Sequence, residues 1–442
     1  MKASMRPIGI NIFSFLTSQN SVGESARKLT KALDEAAIPY VCNTLPIVDN
    51  KEYKGLVTNL SDDSPYLVNI VCLNTMMIPV IIHHYGHDVF SDRYTIGICC
   101  WESENFPHPG PLSDYFNEIW TISEFCEKSI SRVLNQVTGI VKFPIIPLTT
   151  HRLPEYQGKF VVLFMYDYGS TFQRKNPLLA ITVFREAFGN DDSALLILKS
   201  SRAEFFEGVK EVMEAIGDSA NIVHLNSNLS EEEKWRLFES CDVYLSLHSS
   251  EGLGFTPLEA MSIGKPVIAT GYSGNMDYMT ETNSIIVPYQ IVDIPDGTPW
   301  YSGQGKWALP DVHYAATKLK ELRHNPNLRQ TLGNEARKYV EANYSVSTCS
   351  KLLKSLFIDA LNRIDRNRYE CFKALYGVDG NFIDVTPKVS ELIKDSTLVI
   401  SGVYNDMFGD HLPNVPKILR IVHPSIIGVL DLPENKQCSI QL

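Results

Sequence analysis

Apolar positions in the first third of the chain follow two alternating periodicities. Short apolar runs at 9–13, 66–72, 94–100 and 118–122 predict strands, because runs of this length bounded by turn residues are typical of buried strands. Between them, apolar residues recur every three or four positions at 23–36 and 123–134, which predicts helices. The first third of the chain is therefore expected to alternate strand and helix.

The same rhythm restarts after a polar, proline-bearing stretch. Predicted strands of this second series lie at 160–166, 194–199, 221–225, 242–247 and 266–270. Strands that alternate with helices form parallel sheets covered on both faces, so two such series predict a bilobal α/β protein with a cleft. Helices are predicted at 312–324, 327–343 and 347–363. Short β-prone segments separated by Pro, Gly and Asp then predict a small β-rich module at 367–442.

Composition narrows the class of protein. The 442 residues are 44% hydrophobic and 21% charged, which is ordinary globular composition, and the net charge of -11 argues against a broad nucleic-acid surface. Nine cysteines without CxxC pairs indicate reduced thiols and a cytoplasmic protein. Since no run approaches the roughly 20 apolar residues of a membrane span, any membrane contact is expected from the water side.

One loop predicts an anion site. The strand that ends near His248 is followed by a glycine-bearing loop, and Pro257 suits the first position of a helix that Gly264 would close. The amino terminus of a helix at the carboxyl edge of a parallel sheet holds anions. An alternative is structural: Thr256 and Glu259 fit a capping box, in which Glu259 only folds back onto the helix start.

Two cations point to the same edge. Arg174 and Lys175 precede Asn176 and Pro177, which are expected to cap and begin a helix over 178–188. Because the helix dipole disfavours cations at this end, a negative partner such as a diphosphate is expected, and a solvated basic pair is the alternative. Lys199 ends a neighbouring strand and is either a third phosphate contact or a lysine that reaches solvent.

Other candidate residues lie in the first third of the chain. Gly23 opens a helix after a polar loop, but its surroundings do not form a GxGxxG dinucleotide fingerprint. Trp101 and Glu102 follow an apolar strand and could stack on a sugar ring and accept its hydroxyls, or could be a core tryptophan beside solvated acids. The histidines of 83–87 lack further residues at ligand spacing, so no metal site is predicted.

The glycine loop and the residues after it resemble a known family. Glu251 and Glu259 are separated by seven residues, and Gly264–Thr270 (GKPVIAT) and Ser273–Asn275 (SGN) follow. This combination resembles the donor-site signature of retaining family 4 glycosyltransferases with the GT-B fold, of the kind that build bacterial polysaccharides and lipopolysaccharides. The resemblance covers about residues 5–365 and is strongest at 160–287 and again in Trp307–Asp311 (WALPD).

The resemblance implies a role for each candidate residue. Glu251 would bind hydroxyls of the transferred sugar, Glu259 the ribose, and Arg174 and Lys175 the diphosphate. Gly23 would close over the donor phosphate, and Trp101 and Glu102 would lie on the acceptor side. Since some relatives carry a catalytic His or Asp in that place, Glu102 is open to a catalytic or a structural role. The expected donor-loop contacts are Gly252, Leu253, Gly254, Phe255 and Thr256.

The resemblance also implies an architecture and a reaction. The expected domains are a Rossmann-like acceptor domain at 1–155, a donor domain at 156–345, a helix at 346–366 that crosses back, and the module at 367–442. A hexose would pass with retention from a GDP- or UDP-sugar, GDP-mannose among them, to a glycan or lipid-linked glycan. No metal or cofactor is expected, because the enzymes that this sequence resembles need none. The leaving phosphate would assist same-face attack.

Two other functions remain open at this point. A phosphorylase-like enzyme shares the architecture but needs a lysine that binds pyridoxal phosphate. A catalytically silent module would bind a sugar nucleotide without forming product. Oligomerisation, acceptor recognition and membrane docking are all compatible with the C-terminal segment.

Overall fold

The structure is a computed structural model that describes residues 6–18, 20–46, 57–301 and 305–364, together with parts of 373–441. The chain folds into two compact units: 1–98, 109–120 and 350–442 form the first, and 99–108 and 121–349 form the second. Within the described part, none of the helices combines the length and the apolar content that a membrane span requires.

The first sheet has six strands in the order β2-β1-β3-β4-β5-β6. Strand β1 runs parallel to β2 and β3, with Ile10 opposite both Tyr40 and Val68. Every residue of β1 and of β4 is buried, which explains their continuous apolar sequences. The elements are β1 (Ile10–Ser14), α1 (Ser21–Ala36), β2 (Tyr40–Thr44), β3 (Val68–Val71), α2 (Ile78–Tyr85), β4 (Tyr94–Cys99), β5 (Glu118–Thr121), α3 (Glu124–Ser131) and β6 (Val137–Ile140).

The second sheet also has six strands, in the order β12-β11-β10-β7-β8-β9, and its strand pairs are parallel. The predicted α/β class is confirmed by these two parallel sheets. The elements that form or cover the second sheet are β7 (Phe160–Met165), α4 (Phe172–Lys175), α5 (Pro177–Phe188), β8 (Ala194–Ser200), α6 (Gly208–Ile216), β9 (Ile222–Asn226), α7 (Glu231–Ser240), β10 (Val243–Ser246), α8 (Phe255–Ser262), β11 (Val267–Thr270) and β12 (Ile285–Val287).

An antiparallel hairpin and three helices follow. The hairpin pairs β13 (Tyr289–Asp293) with β14 (Lys306–Pro310). The helices are α9 (Val312–His324), α10 (Pro326–Asn343) and α11 (Val346–Arg363), close to the predicted bounds. Within the first unit, Arg363 at the end of α11 donates to Glu118 of β5 at 2.8 Å.

The C-terminal part of the first unit is a small β-rich region, as predicted. Its two antiparallel sheets have the strand orders β16-β15-β19-β20 and β17-β18-β21 and share a core that includes Tyr376, Tyr404 and Leu419. The predicted β-prone segments extended to residues 402, 409 and 410, which lie outside the described residues. The elements are β15 (Lys373–Val378), β16 (Asn381–Asp384), β17 (Ile393–Lys394), β18 (Thr397–Ile400), α12 (Tyr404–Phe408), β19 (Ile418–Val422), β20 (Leu430–Pro433) and β21 (Cys438–Gln441).

Sequence periodicity missed several strands, and their composition explains why. Strand β6 is largely half-exposed, and β13 is exposed at four of its five residues, so neither has an apolar run. Strand β2 carries buried Asn43, whose side-chain amide donates to the carbonyls of Ser61 and Asp63. These strands are held by pairing and polar contacts, which apolar periodicity does not detect.

The turn after α8 depends on a glycine in α10. A Cβ atom added to Gly333 would lie 2.0 Å from the carbonyl oxygen of Gly264, so the two backbones meet where no side chain fits. We expect Gly333→Ala to lower the free energy of unfolding by about 1–3 kcal/mol, despite the higher helix propensity of alanine. Urea denaturation measures this, with the exposed neighbour Asn334→Ala as control. Equal stability of the two variants would show that the helices do not approach so closely.

Candidate active site

The glycine loop connects β10 to α8 at the carboxyl edge of the second sheet. Helix α8 begins at Phe255, with Gly254 as its amino-terminal cap at φ 81°, and the cap has no side-chain hydrogen bond. The capping-box alternative for Thr256 and Glu259 is therefore wrong, and so is the expectation that Pro257 is the first helical residue. Because Gly254 adopts the left-handed conformation, the chain enters the helix earlier than the sequence suggested. Gly264, at φ 76°, follows the helix as expected.

Close backbone contacts fix the loop. A Cβ atom on Gly274 would lie 2.0 Å from the carbonyl oxygen of Gly252, and that carbonyl accepts a hydrogen bond from Ser123 Oγ at 2.5 Å. The Tyr278 hydroxyl donates to the carbonyl of Gly254 at 2.6 Å. Leu253, between the two glycines, is 3% exposed. The loop is thus held on several sides before any ligand binds.

The structure brings together three of the predicted residues, Glu251, Arg174 and Lys175. Lys175 Nζ lies 2.5 Å from Glu251 Oε1, and Arg174 Nη1 lies 3.2 Å from Glu251 Oε2. Arg174 Nη1 also donates to the carbonyl of Ser250 at 2.6 Å. The Arg174 side chain is only 3% exposed. One carboxylate therefore bridges both cations in a buried cluster.

The short helix α4 places Arg174 and Lys175 beside Glu251. The cations occupy its last turn, and the next residue, Asn176, is left-handed at φ 57° and precedes Pro177 at the start of α5. The expected cap and first helical position are thus confirmed. The Asn176 side chain donates to Leu247 O and Ser249 Oγ, which ties α4 to the glycine loop. Arg174 and Lys175 therefore lie beside the loop rather than in solvent.

Charge pairing and burial act in opposite directions on these groups. Burial alone would raise the pKa of Glu251, but Lys175, Arg174 and His248 outweigh it and lower the pKa to about 2. Burial lowers the pKa of Lys175, and the Glu251 carboxylate offsets part of that effect. Burial would also lower the pKa of Arg174, but Tyr301, Glu102 and Glu251 raise it above its usual value. Glu251 and Arg174 are therefore charged near neutral pH.

Trp101 and Glu102 reach the same cluster within the second unit. Glu102 Oε1 lies 3.7 Å from Arg174 Nη2, and Glu102 Oε2 accepts a hydrogen bond from the Tyr301 hydroxyl at 3.0 Å. The indole N–H of Trp101 donates to Asn105 O, and its ring lies 5.3 Å from that of Tyr301. Glu102 is thus paired with Arg174 rather than fully solvated.

Glu259 and Lys199 have different surroundings. Glu259 is 2% exposed and accepts from Lys234 Nζ of α7 at 3.1 Å, an ion pair distinct from that of Glu251. Lys199, near the end of β8, has a pKa lowered to about 8 by burial, although Asp167 acts in the opposite direction. Asp167 itself pairs with Arg202 at 2.9 Å. Glu259 is thus a buried charge and Lys199 a half-buried one, and the hydrogen bonds and ion pairs of these two side chains do not include Glu251.

Gly23 belongs to the first unit. Its N–H donates to Asn20 Oδ1, which caps α1, and a Cβ atom at this position would lie 2.3 Å from the carbonyl oxygen of Phe15. Packing of the helix against the preceding loop therefore requires a glycine here. Its role toward a donor phosphate stays a prediction.

Sequence reasoning missed His248 and Tyr301 and left Ser273 without a role. His248 is fully buried, its Nε2 lies 3.0 Å from Asn275 Oδ1, and burial lowers its pKa. Ser273, at φ 78°, accepts a hydrogen bond from the Glu251 N–H at 2.7 Å. The Ser-Gly-Asn turn was a visible signal for Ser273, but nothing in the local sequence marked Tyr301.

The second unit matches a known family model. Residues 151–297 match the family described as Glycosyl transferases group 1. A protein of Sulfolobus islandicus filamentous virus (isolate Iceland/Hveragerdi), named "Putative glycosyltransferase 41", is 35% identical over 105 residues. Those residues are 23% of this chain and 31% of the viral protein, so less than a third of that relative is matched.

Solved structures share the fold at low sequence identity. HepE from Anabaena, in complex with UDP and glucose, has a TM-score of 0.59 and 13% identity, with 80% of this chain and 100% of HepE covered. Sucrose-phosphate synthase from Thermosynechococcus elongatus has a TM-score of 0.60 and 13% identity, with 81% and 100% covered. This chain therefore has the GT-B fold. All six strands of its second sheet lie within residues 151–297, the segment that is similar to the glycosyl transferases group 1 family.

The charge cluster makes a prediction for acid stability. Because the pKa of Glu251 falls from 4.5 to about 2 on folding, its charge stabilises the native state above about pH 5 and loses effect as the pH falls toward 2. We expect Glu251→Gln to lower the free energy of unfolding at pH 7 by about 3 kcal/mol. The difference in free energy of unfolding between Glu251→Gln and the unsubstituted protein should become smaller between pH 5 and pH 2. Urea denaturation at a series of pH values measures it.

The matched control is Glu281→Gln, at an exposed carboxylate of the same unit. Its gap from the unsubstituted protein should stay small across the pH range. A Glu251→Gln gap that is equal at pH 7 and pH 3 would show that the carboxylate is not held by its cations.

Proposed function

We propose that this protein is a retaining family 4 glycosyltransferase that moves a hexose from a GDP- or UDP-sugar to a glycan or lipid-linked glycan. The observation that carries the proposal is the buried Glu251–Arg174–Lys175 cluster at the amino terminus of α8, inside the segment that matches the glycosyltransferase group 1 family. HepE, which shares the fold, was determined with UDP-glucose, which supports a nucleotide diphosphate sugar as donor.

The leaving group would be stabilised by charges already in place. A departing nucleoside diphosphate gains negative charge as the glycosidic bond breaks. Arg174, Lys175, the amides of 252–256 and the dipole of α8, equivalent to about half a positive charge, would offset it. Fixed donors in a site closed to water stabilise developing charge without reorganisation. In this proposal no metal ion is needed, because these fixed positive groups offset the charge of the leaving diphosphate.

Glu251 would have a double role in this reaction. Its charge holds Arg174 and Lys175 in the absence of donor, and a carboxylate with a pKa of about 2 stays ionised as an acceptor for sugar hydroxyls. When the diphosphate arrives, Lys175 would be shared between Glu251 and phosphate. Glu259 would then bind the ribose, and the leaving phosphate would help to deprotonate the acceptor hydroxyl on the same face.

The remaining assignments belong to the same proposal. Residues 1–155 would bind the acceptor, with Trp101 and Glu102 on the acceptor side and Gly23 facing the donor phosphate. Residues 156–345 would bind the donor, and 346–366 would cross back. We propose that the transfer takes place in the cytoplasm during polysaccharide or lipopolysaccharide assembly, because glycans and lipid-linked glycans are the growing chains of that process.

Turnover should depend on Arg174. We expect Arg174→Lys to lower kcat by about 10²–10³-fold, because lysine keeps the charge but cannot donate to Ser250, Glu251 and Glu102 with one planar group. Radiolabelled sugar transfer measures the rate. Arg185→Lys on α5 is the control, because Arg185 donates to Ile216 and Ser219 away from the cluster. Near-normal kcat in a folded Arg174→Lys or Arg174→Ala protein would contradict the proposal.

Donor binding should also take up protons through Lys199. An anion beside this buried lysine raises its pKa from about 8, so at pH 8 binding takes up as much as about half a proton. Calorimetry of sugar nucleotides in buffers of different ionisation enthalpy measures the uptake, with and without chelator. It should vanish in Lys199→Met and persist in Lys210→Met, a control at an exposed lysine of α6.

The same screen separates the alternatives. Binding of one sugar nucleotide in chelator, with product formed, supports the transferase. Binding without product for any acceptor indicates a silent module, and phosphate-dependent turnover with a pyridoxal absorbance band indicates a phosphorylase. If no nucleotide binds, the donor site assigned to Glu251 and Lys175 is wrong.

A further inference from the structure

The hairpin beyond β12 extends toward the charge cluster. We call residues 288–301 and 305–310 the β13–β14 arm. Its buried side chains Ile294, Tyr301 and Trp307 form a small core that also contacts Trp101. Through β14, the N–H of Ala308 donates to the carbonyl of Ser249 at 2.9 Å. The arm is therefore joined by a backbone hydrogen bond to the glycine loop that carries Glu251.

The arm also meets the segment that carries Glu102. Gly305 adopts φ 120°, and a Cβ atom there would lie 2.6 Å from Ser103 Oγ, so the backbone passes directly over this segment. The ring of Tyr301 lies between those of Trp101 and Trp307, at centroid distances of 5.3 and 5.4 Å. With aromatic rings packed on two sides, Tyr301 has little freedom to turn its hydroxyl elsewhere.

One chain of polar contacts runs from this tyrosine to the cations. The Tyr301 hydroxyl donates to Glu102 Oε2 at 3.0 Å, and the other oxygen of Glu102 lies 3.7 Å from Arg174 Nη2. Arg174 Nη2 also donates to Ser170 O at 3.1 Å, while Nη1 faces Ser250 and Glu251. The two ends of the guanidinium thus have separate partners, which fixes the orientation of its plane.

The balance of charge around Arg174 indicates what Glu102 does. Two carboxylates, Glu102 and Glu251, face two cations, Arg174 and Lys175. If a diphosphate binds Lys175 and a sugar hydroxyl binds Glu251, the Glu251 carboxylate neutralises less of the positive charge of the buried Arg174. Glu102 keeps a negative charge on the other side, and Tyr301 keeps that carboxylate turned toward Arg174.

We propose that Glu102 and Tyr301 are positioning residues that orient the Arg174 guanidinium for the transfer step. The proposal rests on the proposed glycosyltransferase function and deepens it. It concerns features of this chain outside the family match, because that match covers 151–297 and includes neither residue. Glu102 then acts through Arg174 and does not take a proton from the acceptor.

A double-mutant cycle tests this coupling. Tyr301→Phe removes one hydroxyl and should lower kcat about tenfold, while the donor dissociation constant from calorimetry changes less than about twofold. Glu102→Gln should lower kcat at least as much. In an Arg174→Lys background, Tyr301→Phe should change kcat less than about twofold, because its effect passes through the arginine. Tyr289→Phe, the same substitution on the exposed part of the arm, is the control and should leave kcat unchanged.

Each outcome has one meaning. Wild-type kcat in both Tyr301→Phe and Glu102→Gln, or an equal loss from Tyr301→Phe in the two backgrounds, overturns the positioning role. An equal loss would show that the tyrosine only supports folding, and thermal unfolding would then fall in parallel. If Tyr301→Phe folds poorly, the test compares the effect of Glu102→Gln on kcat in the unsubstituted protein with its effect in the Arg174→Lys background. A wild-type protein that neither binds nor turns over a sugar nucleotide refutes the proposed function instead.

Discussion

Two buried charges, Arg174 and Glu251, and two half-buried ones, Glu102 and Lys175, constrain the structure around the glycine loop more than any other interaction. Removing a charge from water costs several kcal/mol, and only a partner in good geometry offsets it. Arg174, at 3% exposure, meets that requirement through Glu251, Glu102 and two backbone carbonyls. Because these partners must all contact one guanidinium, the positions of α4, the glycine loop and the β13–β14 arm depend on one another.

The cluster also bears on how the proposed donor would bind. Unpaired cations in a buried site would lower stability, and Glu251 supplies the compensating charge that a phosphate would share in the proposed reaction. The cost of burying Arg174 and Lys175 is then met during folding rather than on binding. In the proposed reaction, a diphosphate would meet donors that are already oriented, which is the condition under which electrostatic stabilisation of a leaving group is large.

The sequence predicted those features that depend on residues close together in the chain. Continuous apolar runs located β7 and β10, and the bounds of α9 were predicted to the residue. The loop and the basic pair were predicted because their residues are adjacent in sequence. The contact between Glu102 and Tyr301 could not be, since 199 positions separate them and neither lies in a motif. The helix start at Phe255 was missed because a left-handed Gly254 competes with the stronger cap signal at Thr256.

The glycines of the loop carry less functional information than their pattern suggests. Gly274 has no room for a Cβ atom because it touches the carbonyl of Gly252, and Gly252 is in turn held by Ser123. Backbone packing alone therefore accounts for both residues, whether or not a ligand approaches. The case for chemistry rests instead on groups that packing does not require: a carboxylate that bridges two cations, and a strained Ser273 that holds its backbone. Burying these charges and holding Ser273 in the left-handed region cost free energy that backbone packing alone does not require. The charge cluster, and not the glycine pattern, therefore carries the argument for a functional site.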